Sequence, residues 1–514
     1  MGLVDSIGNS FMKMRLEGLD QTINNPHETQ QEVLNDLLQK AKNTVYGREY
    51  RFADIKNYRQ FQEQVPVIDY EDLMPYISRL LQGEQNMLWP TRIRFLAKSS
   101  GTTGVKSKVV PVSSEGLHQC HYQGGRDMLA LYIRNYPDAK LFSGKNLSIG
   151  GSQESKLTGK DEGFYTANIS AIVMKNLPFW AQFGRTPGLE VTMMNNWEEK
   201  MKKIAAITSK EKVTSLAGSP MWMLLLLQHI IKEEKIEYIQ DIWPNLEVFF
   251  HGAVSFLPYR PLFEKLDRDK SLRYLEIYNA TEGFFGLQDL PDDPSLLLML
   301  NYGIFYEFIP EKDYLSENPR VLPLSEVELG KKYSMVISTN SGLWRYKIGD
   351  TVKFTSIAPY RFIISGRTKH CINIFGEDLF TEHAEKALDV VCKKTGAILK
   401  DYTAAPFFYE TRSKGYHEWL VEFVKSPEDL KEFATILDKE LSELNDDYAQ
   451  KRRNDTAIGP PVVREMPSGT FYEWLRKNGK LGGQHKIPRL SNSRGLVEEL
   501  IEIGKNISPE VKNN

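Results

Sequence analysis

Between Arg94 and Gly366 short β-prone runs alternate with helical ones, and this alternation limits the fold more than any other feature of the chain. Candidate strands are 146–150, 170–175, 246–251, 274–278, 303–309, 332–339 and 351–354, and candidate helices are 114–135, 198–209, 220–234 and 258–266. Such alternation predicts an α/β body rather than a helical bundle or a sandwich. The first ~90 residues read as amphipathic helix, with helical periodicity over 30–43 and 70–81. The pattern changes after Gly366, where a helix (381–394), a strand (418–424), a helix (427–445) and a loop-rich end predict an α+β segment. That segment is about 150 residues, the usual size of one domain, which places a boundary near Lys369.

Composition removes several classes of function. Sixty-five Lys+Arg against 67 Asp+Glu leave a net charge of −2, so no global basic field draws in nucleic acid or an acidic membrane. Cys120, Cys371 and Cys392 are far apart and form no CxxC pair, which argues against a disulfide framework or structural zinc and fits a reducing compartment. The apolar run from Met221 to Leu227, extended by Ile230-Ile231, is short of the ~18 residues a membrane span needs. It reads as a buried helix with Ser219 at the N-cap and Pro220 at the first position. The N-terminus has no signal-peptide stretch, and its Met1-Gly2 with Ser6 fits a myristoylation pattern only superficially. A cytoplasmic location with no membrane and no nucleic-acid partner is the expectation.

Five segments carry chemistry. The first is Ser99-Ser100-Gly101-Thr102-Thr103-Gly104-Val105-Lys106-Ser107-Lys108, between apolar stretches. Its glycines let backbone N–H groups turn toward an anion, its hydroxyls add donors and its lysines add charge, which together suit a polyphosphate. It is not a Walker loop, because no Gly-Lys in the chain is followed by Ser or Thr; read alone, it is also a plain hairpin turn. The second, Tyr278-Asn279-Ala280-Thr281-Glu282-Gly283, follows a candidate strand and sets a carboxylate where an open α/β sheet has its ligand crevice. Glu282 there could hold Mg²⁺ on a triphosphate. The third, Gly342 through Asp350, lies between two candidate strands, so a Gly349-Asp350 turn would present its carboxylate outward. The fourth is Ser365-Gly366-Arg367-Thr368-Lys369 with Ile372 through Glu377, and the fifth Gln484-His485-Lys486-Ile487-Pro488-Arg489.

In this order the five segments resemble the adenylate-forming superfamily of acyl-CoA ligases, luciferases and peptide-synthetase adenylation domains. The nearer likeness is to the auxin-responsive acyl-acid amido synthetases of plants and their bacterial relatives. Val65-Pro66-Val67, Leu88-Trp89-Pro90, Phe250-His251-Gly252-Ala253, Asn301 through Pro310, and Ser338-Thr339 add to it. The phosphate loop has one residue more before its last lysine than acyl-CoA ligases usually show, as in those amido synthetases.

The resemblance implies a large N-terminal α/β domain (1–368), its sheets flanked by helices, that binds ATP and an acyl acid. A small mobile α+β C-terminal domain (369–514) would carry the late lysine. By the same resemblance Ser99, Ser100, Thr102, Thr103 and Lys108 would hold the β- and γ-phosphates. Tyr278 would stack on adenine, Thr281 would touch the α-phosphate, and Glu282 would ligate Mg²⁺. Asp350 would bind the ribose with help from Arg367, and Gly252, Ala253 and Tyr346 would complete the nucleotide site. Lys486 would bridge carboxylate and α-phosphate, with Lys369 as hinge. The implied activity joins a carboxylic acid to an amino acid through an acyl-adenylate, with ATP and Mg²⁺. An acyl-CoA ligase and a nucleotide-binding protein without turnover are the alternatives. Thr103, Ser107 and Thr281 depart mildly from the plant pattern. His118, Cys120 and His121 could seed a metal site at i, i+3 spacing, or else pack near the acyl pocket. The pairs Gly124-Gly125 and Gly150-Gly151 would permit close backbone approach there.

Overall fold

The computed structural model describes residues 3–98, 108–150, 164–177, 179–194, 196–253, 256, 259–314, 316, 318–367, 371–372, 377, 379–408, 415–452, 458–481 and 486–507. Its N-terminal part is helical, with helices Leu3–Asn24, Pro26–Ala41 and Tyr70–Leu81. The last begins at a capping box in which the Asp69 N–H donates to the Asp72 carboxylate at 2.9 Å. Gln30 pins the second helix to the sheet: its buried amide donates to the Leu300 and Ile304 carbonyls and accepts from the Tyr306 N–H.

The strands in chain order are β1 (Phe95–Lys98), β2 (Val109–Val112), β3 (Lys145–Ser148), β4 (Tyr165–Asn168), β5 (Arg185–Thr186), β6 (Val213–Gly218), β7 (Val248–Gly252), β8 (Arg273–Asn279), β9 (Phe284–Leu287), β10 (Leu296–Leu298), β11 (Ile304–Pro310), β12 (Leu322–Pro323), β13 (Lys332–Thr339), β14 (Tyr346–Ile357) and β15 (Tyr360–Arg367). Three form a small sheet, β2-β1-β4. The others form one mixed sheet, β12-β11-β13-β14-β15-β10-β9-β8-β7-β6-β3-β5. Strands β5, β3, β6, β7 and β8 are parallel, and from β8 onward the pairings are antiparallel. Helices Trp197–Thr208 and Pro220–Glu234 join the parallel strands and pack on them through Met201, Ile204, Trp222 and Leu226. The antiparallel half packs on the N-terminal helices. There the buried Arg345 donates to both Glu307 oxygens at 2.9 Å and to the Gln62 and Val65 carbonyls.

After β15 come a short hairpin, β16 (Cys371–Ile372) with β17 (Leu379–Phe380), helix Thr381–Thr395, and a sheet of β18 (Ile398–Phe408), β19 (Gly415–Lys425) and β20 (Val462–Glu465). This part has its own core around Tyr402, Trp419 and Phe433. Its far end joins the core of the parallel half through Phe471, Trp474, Val497 and Leu500.

Three local expectations are corrected. Residues 170–175 lie in a helix, Ile169–Lys175, not a strand. A short apolar, β-branched run is ambiguous between the two. Here β4 already ends at Asn168, and the buried Ile169 and Ile172 have helical i, i+3 spacing. The loop-rich end contains helices Thr470–Lys477, which Pro467 and Gly469 obscure in sequence, and Gly495–Asn506. The Gly349-Asp350 pair is no hairpin turn but lies inside β14, which bulges where Lys347 to Thr351 faces only Val336 to Ser334. Gly349 takes φ +83° there, and Asp350 is turned inward, 6% exposed. Ser219 holds the expected N-cap position but makes no side-chain cap bond.

Candidate active site

The carboxyl ends of the parallel strands meet the antiparallel half at β8, where an open sheet leaves its crevice. The β8–β9 connection is the tight turn Ala280–Gly283, closed by the Ala280 N–H donating to the Gly283 carbonyl at 2.8 Å. Thr281 and Glu282 occupy its tip and line a cleft with His121, Cys120, Thr339 and Asn340. Thr281 is 7% exposed.

Tyr278, on β8, is buried with its ring edge-on to Phe285 and Phe362. Its hydroxyl donates to Asp350 Oδ2 on β14. Four strand spacings separate β8 from β14 in the sheet order, ~19 Å if flat. The sheet therefore curls, and the curl unites the two residues assigned to adenine and to ribose. Arg367 stands opposite Asp350 in the β14–β15 register. Tyr346 begins β14, and burial, followed by the Glu282 carboxylate, holds its phenol far above its ordinary range. At the end of β7, Gly252 lies so close to β8 that a Cβ would sit 2.4 Å from the Ile277 carbonyl oxygen. Ala253 follows at φ +76°, a left-handed conformation that costs a residue with a Cβ about 1–3 kcal/mol and is typical of ligand sites.

Lys98 pairs with Val109, so the two ends of the 99–108 segment stand side by side. Ser99, Ser100, Thr102 and Thr103 lie outside the described residues, as do Gly151 and the hinge position Lys369. Lys108 is described: its ammonium lies 4.9 Å from the centre of the Tyr70 ring, and the Tyr70 hydroxyl accepts from the Val109 N–H at 2.9 Å. Beyond β2, the Ser113 hydroxyl donates to the Asn340 carbonyl at 2.6 Å, tying the phosphate-loop strand to the segment after β13.

The three residues His118, Cys120 and His121 do not form a metal site. They lie on a π-helical turn, Gly116–His121, whose wider period turns His118 outward and buries His121. His118 bonds to the Ser114 carbonyl oxygen, while His121 Nδ1 meets Asn279 Oδ1 at 3.1 Å beside the cleft. Burial lowers the His121 pKa to about 4 and pushes the Cys120 thiol up to about 12. Among the described residues no group of three or more His, Cys, Asp or Glu is placed to hold a metal. Gly124 does give close approach, since a Cβ would lie 2.6 Å from the Phe284 ring, whereas Gly125 faces open space.

Lys486 is not among the described residues lining this cleft. It precedes Ile487, which enters the core of the parallel half, and Arg489, which pairs with Asp401 and reaches Tyr259 Oη at 3.4 Å. Two residues of the third segment are scaffold: Trp344 is fully buried and donates to the Leu88 carbonyl, and Arg345 is the buried cation described above. Sequence reasoning missed Asn279 as the partner of His121, and Asn340 and Ser341 as cleft residues; the only signal was their place beside segments already singled out.

This architecture is that of the adenylate-forming enzymes. The fold is similar to 2-hydroxyisobutyryl-CoA ligase in complex with 2-HIB-AMP, with a TM-score of 0.56 at 13% identity over 93% of this chain and 91% of that one. It is more similar to the GH3.15 acyl acid amido synthetase, with a TM-score of 0.80 at 20% identity over 98% of both chains. Models of the GH3 family N-terminal, central and C-terminal domains match residues 15–272, 297–367 and 382–495, and the chain belongs to the GH3 family. Curated relatives include indole-3-acetic acid-amido synthetase GH3.4 of Arabidopsis thaliana, 25% identical over 92% of this chain and 91% of the relative. GH3.8 of Oryza sativa subsp. indica, which bears the same description, is 25% identical over 95% and 92%. No helix among the described residues is long and apolar enough to cross a membrane.

Proposed function

We propose that this GH3 chain is an ATP-dependent acyl-acid amido synthetase that activates a carboxylic acid as its adenylate and passes the acyl group to an amino acid. The observation that carries the reading is the Tyr278–Asp350 hydrogen bond beside the Thr281-Glu282 turn. By this reading the bond joins an aromatic ring for adenine to a carboxylate for ribose hydroxyls, and the turn that follows β8 carries the hydroxyl–carboxylate pair for phosphate and cation.

A carboxylate attacking an α-phosphate brings two anions together, so charge must be neutralised as the transition state forms. Glu282 is the described residue that would hold Mg²⁺, and one carboxylate suits an ion otherwise bound by phosphate and water. That ion would supply positive charge on the leaving pyrophosphate. Thr281 would donate its hydroxyl to an α-phosphate oxygen. Ser99, Ser100, Thr102, Thr103 and Lys108 would take the β- and γ-phosphates, and Gly252, Ala253, Tyr346 and Arg367 would frame the nucleoside. The second half-reaction forms the amide C–N bond, breaks the acyl–phosphate bond and releases AMP. Lys486 would bridge the substrate carboxylate and the α-phosphate during adenylation, and the C-terminal domain (369–514) would rotate about Lys369 between the two steps.

The test incubates the protein with ATP, Mg²⁺ and a panel of carboxylic acids, following pyrophosphate release. Amino acids or CoA are then added separately and the products weighed by mass spectrometry. Release followed by amide formation is the expected result. Absence of release with every acid, or thioester without amide, would overturn the reading.

A further inference from the structure

Among the described residues, several buried or half-buried cations are paired with carboxylates. Arg345 meets Glu307, Arg361 meets Asp289 and Arg489 meets Asp401. Arg185, the first residue of β5, and Lys200, on helix Trp197–Thr208, are also buried, 8% and 1% exposed. Among the described residues, neither has a carboxylate within ion-pairing distance. The Lys200 ammonium donates to the Gly150 carbonyl at 2.8 Å and the Thr192 carbonyl at 2.6 Å, which accounts for two of its three protons. Arg185 donates through Nη2 to Thr192 Oγ1 at 2.8 Å and touches Met174 Sδ at 3.5 Å. Its Nε is buried with no hydrogen-bond partner. That donor, one fork of the guanidinium and the third ammonium proton are thus uncommitted.

A buried cation without a counter-charge is destabilising, and two together more so. Burial, and then the charge of Arg185, lower the Lys200 pKa to about 8. Arg185 is the charged neighbour acting on Lys200. Natural interiors retain such an arrangement where something outside the chain completes it. A planar guanidinium beside an ammonium matches the oxygens of a carboxylate or phosphate group. We propose that Arg185 and Lys200 form a buried oxyanion site separate from the residues assigned to adenylation. Gly150, which holds Lys200, follows β3, three strand spacings from β8, or ~14 Å, and Arg185 is on β5, one spacing further. The reaction class offers both kinds of oxyanion, carboxylate on an amino-acid acceptor and phosphate on the released pyrophosphate.

The test is isothermal titration calorimetry of the full chain near pH 8.5 with inorganic pyrophosphate and, separately, with L-glutamate. Each is run in two buffers of different ionisation enthalpy. The wild type should bind one of the two, and which one identifies the source of the oxyanion. Binding should take up a fraction of a proton, because the anion restores the ammonium form of Lys200. Arg185→Met and Lys200→Met should weaken that binding about tenfold or more, and Arg185→Lys by less. Binding of neither anion by the wild type overturns the proposal. So does affinity in both methionine variants within about twofold of wild type, which would place the anion on the phosphate loop. Should those variants not fold, wild-type crystals soaked in selenate decide: anomalous density against Arg185 Nε supports the site, and none there refutes it. Neither measurement needs turnover, so failure here leaves the pyrophosphate-release result untouched.

Discussion

At the scale of single residues, the proposed function gives the Tyr278–Asp350 contact the task of setting the nucleotide site before ATP arrives. A hydrogen bond to a buried carboxylate contributes about 1.5–3 kcal/mol, and removing its donor leaves Asp350 with less to hold it. Tyr278→Phe keeps the ring and loses the donor. It should raise the KM for ATP several-fold and lower the urea midpoint, while Tyr278→Ala, which loses the stacking face too, should be worse on both. Equal KM values for the Phe variant and the wild type would refute a positioning role for the hydroxyl. Lys486 gives the complementary case, because it stands outside the described lining of the cleft. Lys486→Ala should cut acid-dependent pyrophosphate release about 10²–10³-fold, as expected for losing a donor to the reacting oxygens. ATP affinity by equilibrium dialysis should stay within about threefold, since such a donor acts chiefly in the transition state. A comparable loss of affinity would make Lys486 a nucleotide anchor instead.

At the scale of elements, the end of β7 is shaped by what Gly252 lacks. A methyl there meets the backbone oxygen of Ile277 at 2.4 Å, and backbone cannot step aside as a side chain can. Gly252→Ala should therefore cost about 1–3 kcal/mol in urea unfolding and raise the KM for ATP, because the strand end carries the crevice wall. Gly125→Ala is the control: it faces open space within helix Tyr122–Asn135 and should gain roughly 0.5–1 kcal/mol. If the two variants proved equally stable, close approach would not be what keeps Gly252. The same contrast separates what could be read along the chain from what could not. Helices Tyr70–Leu81 and Pro220–Glu234 and strand β13 follow from local periodicity and caps, and their ends fall where the pattern puts them. The 169–175 helix does not, because β-branching favours one structure and packing decides the other. The site was legible as ordered segments, since Thr281, Glu282 and Asp350 each sit in a short motif. Its joining was not: Tyr278 finds Asp350 across 72 residues and His121 finds Asn279 across 158. Arg185 and Lys200 carry no motif at all, and only their shared burial makes them notable.

At the scale of the whole molecule, burial of titratable groups sets how the fold answers acid. Burial holds His121 neutral with a pKa of about 4, His251 of about 3 and His383 of about 4, against an ordinary 6.5. Once the chain unfolds, each takes a proton below about pH 6.5 that the folded protein refuses, so acid favours unfolding over that window. Glu276 works the other way. Burial, and then Glu385 on helix Thr381–Thr395, raise its pKa from 4.5 to about 7, so between those values the folded state holds a proton that the unfolded chain releases. Three groups against one leave a net uptake of about two protons on unfolding near pH 5. Stability should then fall by roughly 2–3 kcal/mol per pH unit from about pH 6 down toward 4.5. Urea midpoints followed by tryptophan fluorescence between about pH 7 and 5 would measure it. His121→Gln, which removes one of the three protons while keeping a polar partner for Asn279, should flatten the slope by about half of the net uptake. A midpoint that held steady or rose on acidification would mean that these histidines are protonated in the folded protein, and with that the neutral His121 assigned to the cleft wall would have to be given up.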